Sequence, residues 1–293
     1  MVPAPVAQRI RAMGFYPTGR GFESLPGYQL KNYVIIKFMN IKVICLNLWQ
    51  GGNLMDNIID FLQSEDADIL MLQEVYNGTD LKLPRNYRSL EVLNSNLSYK
   101  YQHHAPTMLD RVPEGKIEQG NAVFSKLPII NSEVTFFDIP YREREAFNPK
   151  EFPTTPRNLQ HVTIKLKNQN LDVFNFQGVW DMKGDRYSPE RQNMSKVILE
   201  QTKDYKNVII AGDTNATPNN QAIKDLESGF TNVFKGELTT TFNMKHKTLL
   251  GYATAVVDAI FVSPNIKVTK HYCPNIDISD HLPLVAVLNI SNK

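Results

Sequence analysis

The sequence has little of the features that mark disulfide-rich proteins and membrane proteins. Only two of its 293 residues are cysteines, Cys45 and Cys273, and they lie far apart in the chain. A disulfide framework is therefore not indicated, and we expect a reducing, cytoplasmic location. No apolar run approaches the roughly 20 residues that a membrane helix requires, so we expect no integral membrane segment. Repeats and low-complexity blocks are also lacking, which leaves a globular chain long enough to bury a sizeable core.

Acidic residues are nearly absent from residues 1–38, which are rich in Arg, Gly and Pro and show no helical or strand periodicity. A secretory signal is disfavoured because the early arginines are not followed by an apolar core of roughly 7 to 15 residues. Residues 21–24 back-translate to GGG TTC GAG TCC, which resembles the T-arm of a transfer RNA gene. We therefore predict that residues 1–38 are a non-native or disordered extension and that the native protein begins at Met39, with one domain over residues 39–293.

The chain also lacks a strong charge imbalance. Its formal net charge is +2, but residues 1–38 contain five of the 32 basic residues and only one of the 30 acidic residues. The remaining 27 basic and 29 acidic residues give a net charge of −2. Bulk charge is therefore not the signature of a nucleic-acid-binding protein.

The most informative stretch is NVIIAGDTN, residues 207–215. Its continuous apolar run predicts a strand buried on both faces, which ends in Asp213 and Asn215. Because strand residues two apart share a face, this carboxylate and this amide can address one site. An Asx-rich turn before the next helix is the alternative interpretation.

Polar side chains occur at the ends of other predicted strands as well: Asn47, Glu74, Asp258 and the pair Asp280 and His281. A carboxylate such as Glu74 beside an apolar run is costly to bury unless it is paired or bound to metal. It could equally be the first solvated residue after its strand. Ligand sites in α/β proteins gather at strand ends, which favours one shared site.

Predicted strands greatly outnumber predicted helices. About three helices, near residues 53–63, 188–203 and 219–227, separate roughly ten strands. This ratio disfavours a doubly wound parallel sheet and favours an α/β fold of two mixed sheets packed face to face with helices outside. Residues 135–156 are rich in charge and Pro, which predicts an exposed loop near the site.

Six short motifs together resemble the endonuclease/exonuclease/phosphatase (DNase I-like) superfamily. In order they are NLW, LQEV, NAVFSKLPI, GDTN, VDAIFVS and SDHLPL, and they span nearly the whole chain from residue 41 to 289. The resemblance implies a four-layered αββα sandwich and Mg2+-dependent hydrolysis of a phosphate ester, with Mn2+ as an alternative ion. The motifs are specific for the superfamily but not for a substrate.

By this resemblance, Glu74 is the metal ligand, Asn47 holds metal-bound water or phosphate, and Asp280 completes the site. A hard oxygen ligand such as a carboxylate suits Mg2+.

The same resemblance assigns catalytic roles. Asp213 orients or deprotonates the attacking water, and Asn215 donates to a phosphate oxygen. His281 contacts the phosphate as acid or base, supported by Asp258, because a carboxylate fixes the histidine tautomer and stabilises imidazolium. The sequence leaves open whether Asp213 or His281 removes the proton.

Two further residues are predicted to bind substrate. Gln177, in the string NFQGVW, stands where many relatives carry His; it can donate to phosphate but cannot transfer a proton. Arg191 is a candidate phosphate clamp, with a solvated position in the first helical turn as the alternative. Trp180 and Tyr187 either line the substrate mouth or pack normally.

The leading hypothesis is thus a monomeric phosphoesterase whose substrate is a nucleic acid, a phospholipid head group or a sugar phosphate. A DNA-repair or nonspecific nuclease of the same superfamily is the nearest alternative, and the net charge of −2 weighs slightly against it. A catalytically weak scaffold that binds phosphorylated ligands is a third hypothesis. The presence of metal ligand, acid and base together opposes it.

Overall fold

The structure, a computed structural model, describes residues 37–146 and 148–292. Within them, thirteen strands and four α-helices form. In chain order they are β1 (Lys37–Asn47), α1 (Met55–Glu65), β2 (Ile69–Tyr76), α2 (Ser89–Asn96), β3 (Tyr101–Val112), β4 (Gly115–Ser125), β5 (Ile129–Phe136), β6 (Arg142–Glu145), β7 (Asn158–Lys165), β8 (Asn170–Gln177), α3 (Pro189–Thr202), β9 (Val208–Asp213), α4 (Gln221–Glu227), β10 (Thr231–Asn232), β11 (Asp258–Val262), β12 (Lys267–Tyr272) and β13 (Leu284–Asn292). None of the described helices is long and apolar enough to span a membrane.

The predicted N-terminal extension lies outside the described residues, apart from Lys37 and Phe38, which begin β1. The start of the native chain at Met39 therefore stays a prediction.

Two mixed sheets organise the described residues. The first has seven strands in the order β12-β13-β1-β2-β4-β3-β6, and the second has six in the order β10-β11-β9-β8-β7-β5. Parallel pairing joins β1 to β2, β3 to β6 and β8 to β9, and the other neighbours are antiparallel. The prediction of mixed rather than doubly wound parallel sheets is confirmed.

Apolar side chains fill three layers of core. Between the sheets, Ile41 and Met71 of the first sheet share a buried cluster with Ile209 of the second. On the outer face of the first sheet, α1 contributes Ile58 to a second cluster. On the outer face of the second sheet, α3 contributes Met194 to a third. Because each fully buried side chain of this size stabilises the fold by about 1.5 to 3 kcal/mol, these layers hold the αββα sandwich together.

Local sequence signals explain the two elements nearest the site. Every residue of β9 is buried, as its unbroken apolar run predicts. The helix α3 begins with Pro189 after Ser188, whose side chain accepts a hydrogen bond from the Arg191 backbone N–H. This is the predicted N-cap followed by proline at the first helical position.

Several elements were missed or misplaced by the sequence pattern. Residues 89–96 form α2, which the sequence pattern did not indicate, and β3 and β4 form a long hairpin. The edge strand β5 was missed because its side chains are mostly exposed and show no apolar alternation. The predicted loop over residues 135–156 contains β6 and a 3₁₀ helix, Pro149–Thr154.

Candidate active site

Five of the predicted site residues lie on neighbouring strands of both sheets. Asn47 ends β1 and Glu74 lies near the end of the adjacent β2. In the second sheet, Gln177 and Asp213 are paired at the ends of β8 and β9, and Asp258 opposes Asp213 at the start of β11. The two sheets thus bring their polar strand ends to one place.

Unusual backbone conformations aim several of these side chains. Glu74 has φ of 58° at a bulge in the pairing of β2 with β4, and Asn215 has φ of 49°. After Asn47, both Trp49 and Gln50 also have positive φ. Left-handed backbone costs a non-glycine residue of order 1 kcal/mol and clusters where function requires a particular direction.

Two amide side chains join two carboxylates at the centre of the site. The Asn47 Nδ2 donates to Glu74 Oε1 at 3.0 Å and to Asp213 Oδ2 at 3.1 Å. The Gln177 Nε2 donates to the same two oxygens, at 2.9 and 3.4 Å. Glu74 and Asp213 are thereby held close together although they come from different sheets.

The two carboxylates differ in their ionisation. Burial alone would raise the pKa of Glu74, but hydrogen bonds from the Gln50 N–H and the Asn47 amide lower it below its ordinary value. Burial raises the pKa of Asp213, and the charges of Asp258 and Glu74 add to the rise while His281 opposes it. Glu74 is therefore the stable anion, and Asp213 is the carboxylate with the greater tendency to take up a proton.

His281 and Asp258 form a buried pair. The His281 Nδ1 donates to Asp258 Oδ2 at 2.9 Å, and the histidine ring packs against Phe242 with 4.7 Å between centroids. Burial would lower the pKa of His281, but the adjacent Asp258 carboxylate outweighs it and raises the pKa to about 10. The imidazole is therefore protonated at neutral pH, with its other nitrogen available to the cleft.

Asp280 and Asn215, two further predicted site residues, are already engaged with other protein groups. Asp280 is paired with Lys247 at 2.7 Å, so its charge is already balanced. The Asn215 Nδ2 donates to the Gly178 carbonyl at 3.1 Å and lies 3.4 Å from Asp213 Oδ2.

A cleft of about 330 Å³ opens over these side chains. It is lined by most of the predicted site residues, namely Glu74, Gln177, Asp213, Asn215, Asp280 and His281. Asn47 and Asp258 lie behind this layer and act on it through hydrogen bonds. Trp180 lines the cleft, whereas Tyr187 does not.

The cleft also contains groups that the sequence did not reveal. Three cations line it, Arg144, Arg157 and Lys247, together with the rings of Trp49, Tyr76, Phe152, Phe242 and Tyr252. Most come from connecting segments, where no periodic pattern distinguishes an inward side chain from a solvated one. Only the charge- and Pro-rich composition of residues 135–156 pointed to this region.

Arg191 is not brought to the cleft. It is 2% exposed, so it is not solvated either, and its guanidinium donates to backbone carbonyls of Val179, Gly184 and Arg186 and to that of Asn215. These bonds fasten the loop before α3 to the turn that carries Asn215.

We expect Arg191→Ala to lower the free energy of unfolding by about 3 to 5 kcal/mol, because several buried carbonyls lose their donor. Urea denaturation measures this, with the exposed Lys196→Ala on the same helix as control. If Arg191→Ala leaves stability unchanged but raises KM, the result would instead support the prediction that Arg191 binds a phosphate group of the substrate.

One group in the site has the spacing of metal ligands. Asp213, Asp258 and His281 each offer an atom within 4.8 Å of the others. Within this group the His281 Nδ1 already donates to Asp258 Oδ2, so that nitrogen carries a proton and is not free to bind an ion.

Comparison with protein families gives a match to the Endonuclease/Exonuclease/phosphatase family over residues 45–281. A search of curated proteins finds no match. Among solved structures, a family protein from Bacteroides thetaiotaomicron is similar with a TM-score of 0.66 and 17% identity, over 87% of this chain and 96% of that one.

Two eukaryotic structures are similar as well. D. rerio TDP2 complexed with a single strand DNA product has a TM-score of 0.62 and 15% identity, over 85% of this chain and 99% of that one. The human Nocturnin catalytic domain with bound sulfate anion has a TM-score of 0.60 and 17% identity, over 86% and 97%. At these identities the likeness shows a shared fold.

Proposed function

The chain belongs to the endonuclease/exonuclease/phosphatase family, as its motifs predicted, and members of this family are hydrolases that act on phosphate ester bonds. On this premise we propose that it is a Mg2+-dependent phosphoesterase that hydrolyses a phosphodiester or phosphomonoester by attack of water. The single observation that carries the proposal is the meeting of Glu74, Asp213 and the His281–Asp258 pair around one cleft.

The donor set fits a hard divalent cation. Glu74 lines the cleft and is ionised because its hydrogen bonds lower its pKa. Another hydrogen bond comes from the neutral Gln177 amide, at 2.9 Å, and this amide does not balance the charge of the carboxylate. Glu74 would hold the ion, with Asn47 beside it, because Asp280 is already balanced by Lys247. When bound, Mg2+ would neutralise charge on the phosphoryl oxygens. Mn2+ would suit the same oxygen ligands.

The protein side chains divide the proton transfers between them. Because His281 is cationic, it suits a donor to the phosphate or to the leaving oxygen, and Asp258 holds it in that form. Asp213, whose pKa is raised, suits the acceptor that orients the water and takes its proton. On this proposal Asp213, rather than His281, removes the proton from the attacking water.

Compact phosphate esters fit the cleft better than a long polymer does. Its volume of about 330 Å³ is in the range of small-molecule sites, and the chain beyond residue 38 has no excess of positive charge. A nuclease of the same family remains the second candidate, supported by the single strand DNA product in the TDP2 structure and by the cleft's aromatic rings.

A substrate panel tests the proposal. Purified protein would be assayed with Mg2+ against abasic DNA, plasmid DNA, RNA, inositol phosphates, sugar phosphates and sphingomyelin, with EDTA in parallel. We expect hydrolysis of at least one small phosphate ester, abolished by EDTA and by Asp213→Asn. Activity that persists in both would indicate a contaminant or another site, and inactivity throughout with retained phosphate binding would support a scaffold.

A further inference from the structure

Two arginines occupy the far end of the cleft. Arg144 belongs to β6 at the edge of the first sheet, and Arg157 directly precedes β7 of the second. In the second sheet, β7 is separated from β11, which carries Asp258, by β8 and β9. Three strand spacings separate these two strands by about 14 Å. Between their side chains lies Gln177, which contacts both Arg157 and Asp213.

Arg144 is held rigidly in place. Its Nε donates to the buried carboxylate of Asp110 at 2.7 Å, and its Nη1 donates to Thr155 Oγ1 at 3.0 Å. The other oxygen of Asp110 accepts from the Tyr76 hydroxyl at 2.8 Å. Asp110 therefore balances the positive charge of Arg144. It does not form an ion pair with Arg157.

Arg157 is a half-buried cation with a polar but uncharged partner. Its Nη1 donates to Gln177 Oε1 at 2.5 Å, and within residues 37–146 and 148–292 no carboxylate lies at ion-pairing distance from it. Burial lowers its pKa to about 10 and repulsion from Arg144 adds to the effect, while the charges of Glu74, Asp213 and Asp110 oppose it. A partly buried guanidinium that has no carboxylate in direct contact favours binding an anion there.

Gln177 suits the orientation of this arginine better than histidine would. Its carbonyl accepts from Arg157 while its NH2 group donates to both Glu74 and Asp213. A neutral imidazole has one donor and one acceptor, and an imidazolium has no acceptor. A glutamine side chain can make all three contacts, whereas neither form of histidine can. This gives a physical reason for glutamine at position 177, where many relatives carry histidine.

We propose that Arg157, oriented by Gln177 and flanked by Arg144, forms a subsite for a second phosphate group of the substrate. The substrate class is then a compact molecule with two phosphate groups, one placed at Glu74 and His281 and the other at the two arginines. This inference rests on the proposed function for the first phosphate, whereas the second subsite can be tested without turnover.

Binding of inorganic phosphate to the metal-free protein is the direct test. Titration would be followed by calorimetry and by the Nε–H resonances of the arginines in 15N NMR spectra. We expect saturable binding that shifts the Arg157 signal, is weakened about 10- to 100-fold by Arg157→Gln, and is unchanged by Arg111→Gln, an exposed arginine outside the cleft. Gln177→His should weaken binding by about 3- to 10-fold and move the Arg157 resonance even without phosphate.

Phosphate binding that survives Arg157→Gln but is lost in His281→Gln would overturn the subsite, because the anion would then sit at the catalytic end. Where the panel yields activity, bisphosphates should exceed their monophosphates at least tenfold in kcat/KM, and Arg157→Gln should remove this advantage through KM. Equal loss for both substrates would also contradict the inference. Failure of hydrolysis with retained phosphate binding at Arg157 would refute only the proposed function.

Discussion

Replacing Glu74 with glutamine is expected to lower kcat/KM at least about a thousandfold, equivalent to about 4 kcal/mol of transition-state stabilisation. Among the three carboxylates that line the described cleft, Asp213 has a raised pKa and Asp280 is paired with Lys247. Glu74 alone combines a lowered pKa with a position open to a divalent cation. The neutral amide keeps the size of the side chain but loses the charge that, on the proposed function, would bind the ion.

Calorimetric titration with Mg2+ and steady-state kinetics measure this effect together. Glu114→Gln provides the matched control, because Glu114 is exposed in the turn between β3 and β4. We expect the control to keep wild-type Mg2+ affinity and activity, and circular dichroism to show folded protein for both variants. Wild-type activity in Glu74→Gln would place the metal, or the chemistry, elsewhere.

Replacing His281 with glutamine is expected to lower kcat by about a hundredfold to ten-thousandfold. Glutamine can still form a hydrogen bond, but it carries no charge and delivers no proton. The substitution also leaves the buried Asp258 carboxylate without its cation, and the Oδ1 atom of Asp258 already has no hydrogen-bond partner among the described residues. A modest loss of stability should therefore accompany the loss of rate.

Substrates with different leaving groups distinguish two roles of His281, proton donor to the leaving oxygen and positive charge beside the phosphate. If the imidazolium protonates the leaving oxygen, a p-nitrophenyl ester should suffer a much smaller loss than an alkyl ester, because p-nitrophenolate departs without a proton. A similar loss for both would indicate that His281 acts through its charge on the phosphate. His271→Gln is the control, since His271 also pairs with a carboxylate, Glu237, but does not line the cleft.

Local sequence patterns were sufficient to predict the strands at the centre of the candidate site. Asp213 and Asp258 adjoin unbroken apolar runs, so their strands could be predicted from neighbouring residues alone, and the register then pairs them. The αββα architecture followed from the ratio of strands to helices and from the family motifs. In these cases the information is contained within a few consecutive residues.

The far end of the cleft could not be predicted in this way. Arg144 and Arg157 lie in a polar, Pro-rich segment whose folding depends on Asp110 and Gln177, which are distant in sequence. Arg191 was instead predicted to reach the site, but it does not line the cleft. Its position in a helix does not reveal that the preceding loop folds over it and supplies carbonyl acceptors for its guanidinium. Such placements depend on tertiary contacts that no local periodicity encodes.

The hydrogen bond between Asn47 and Asp213 connects the two halves of the sandwich. This bond has a consequence for folding. A species in which each sheet has formed but the two have not yet docked would contain every proposed catalytic residue without the assembled site. Recovery of activity during refolding should therefore report the docking of the sheets and lag behind the recovery of secondary structure.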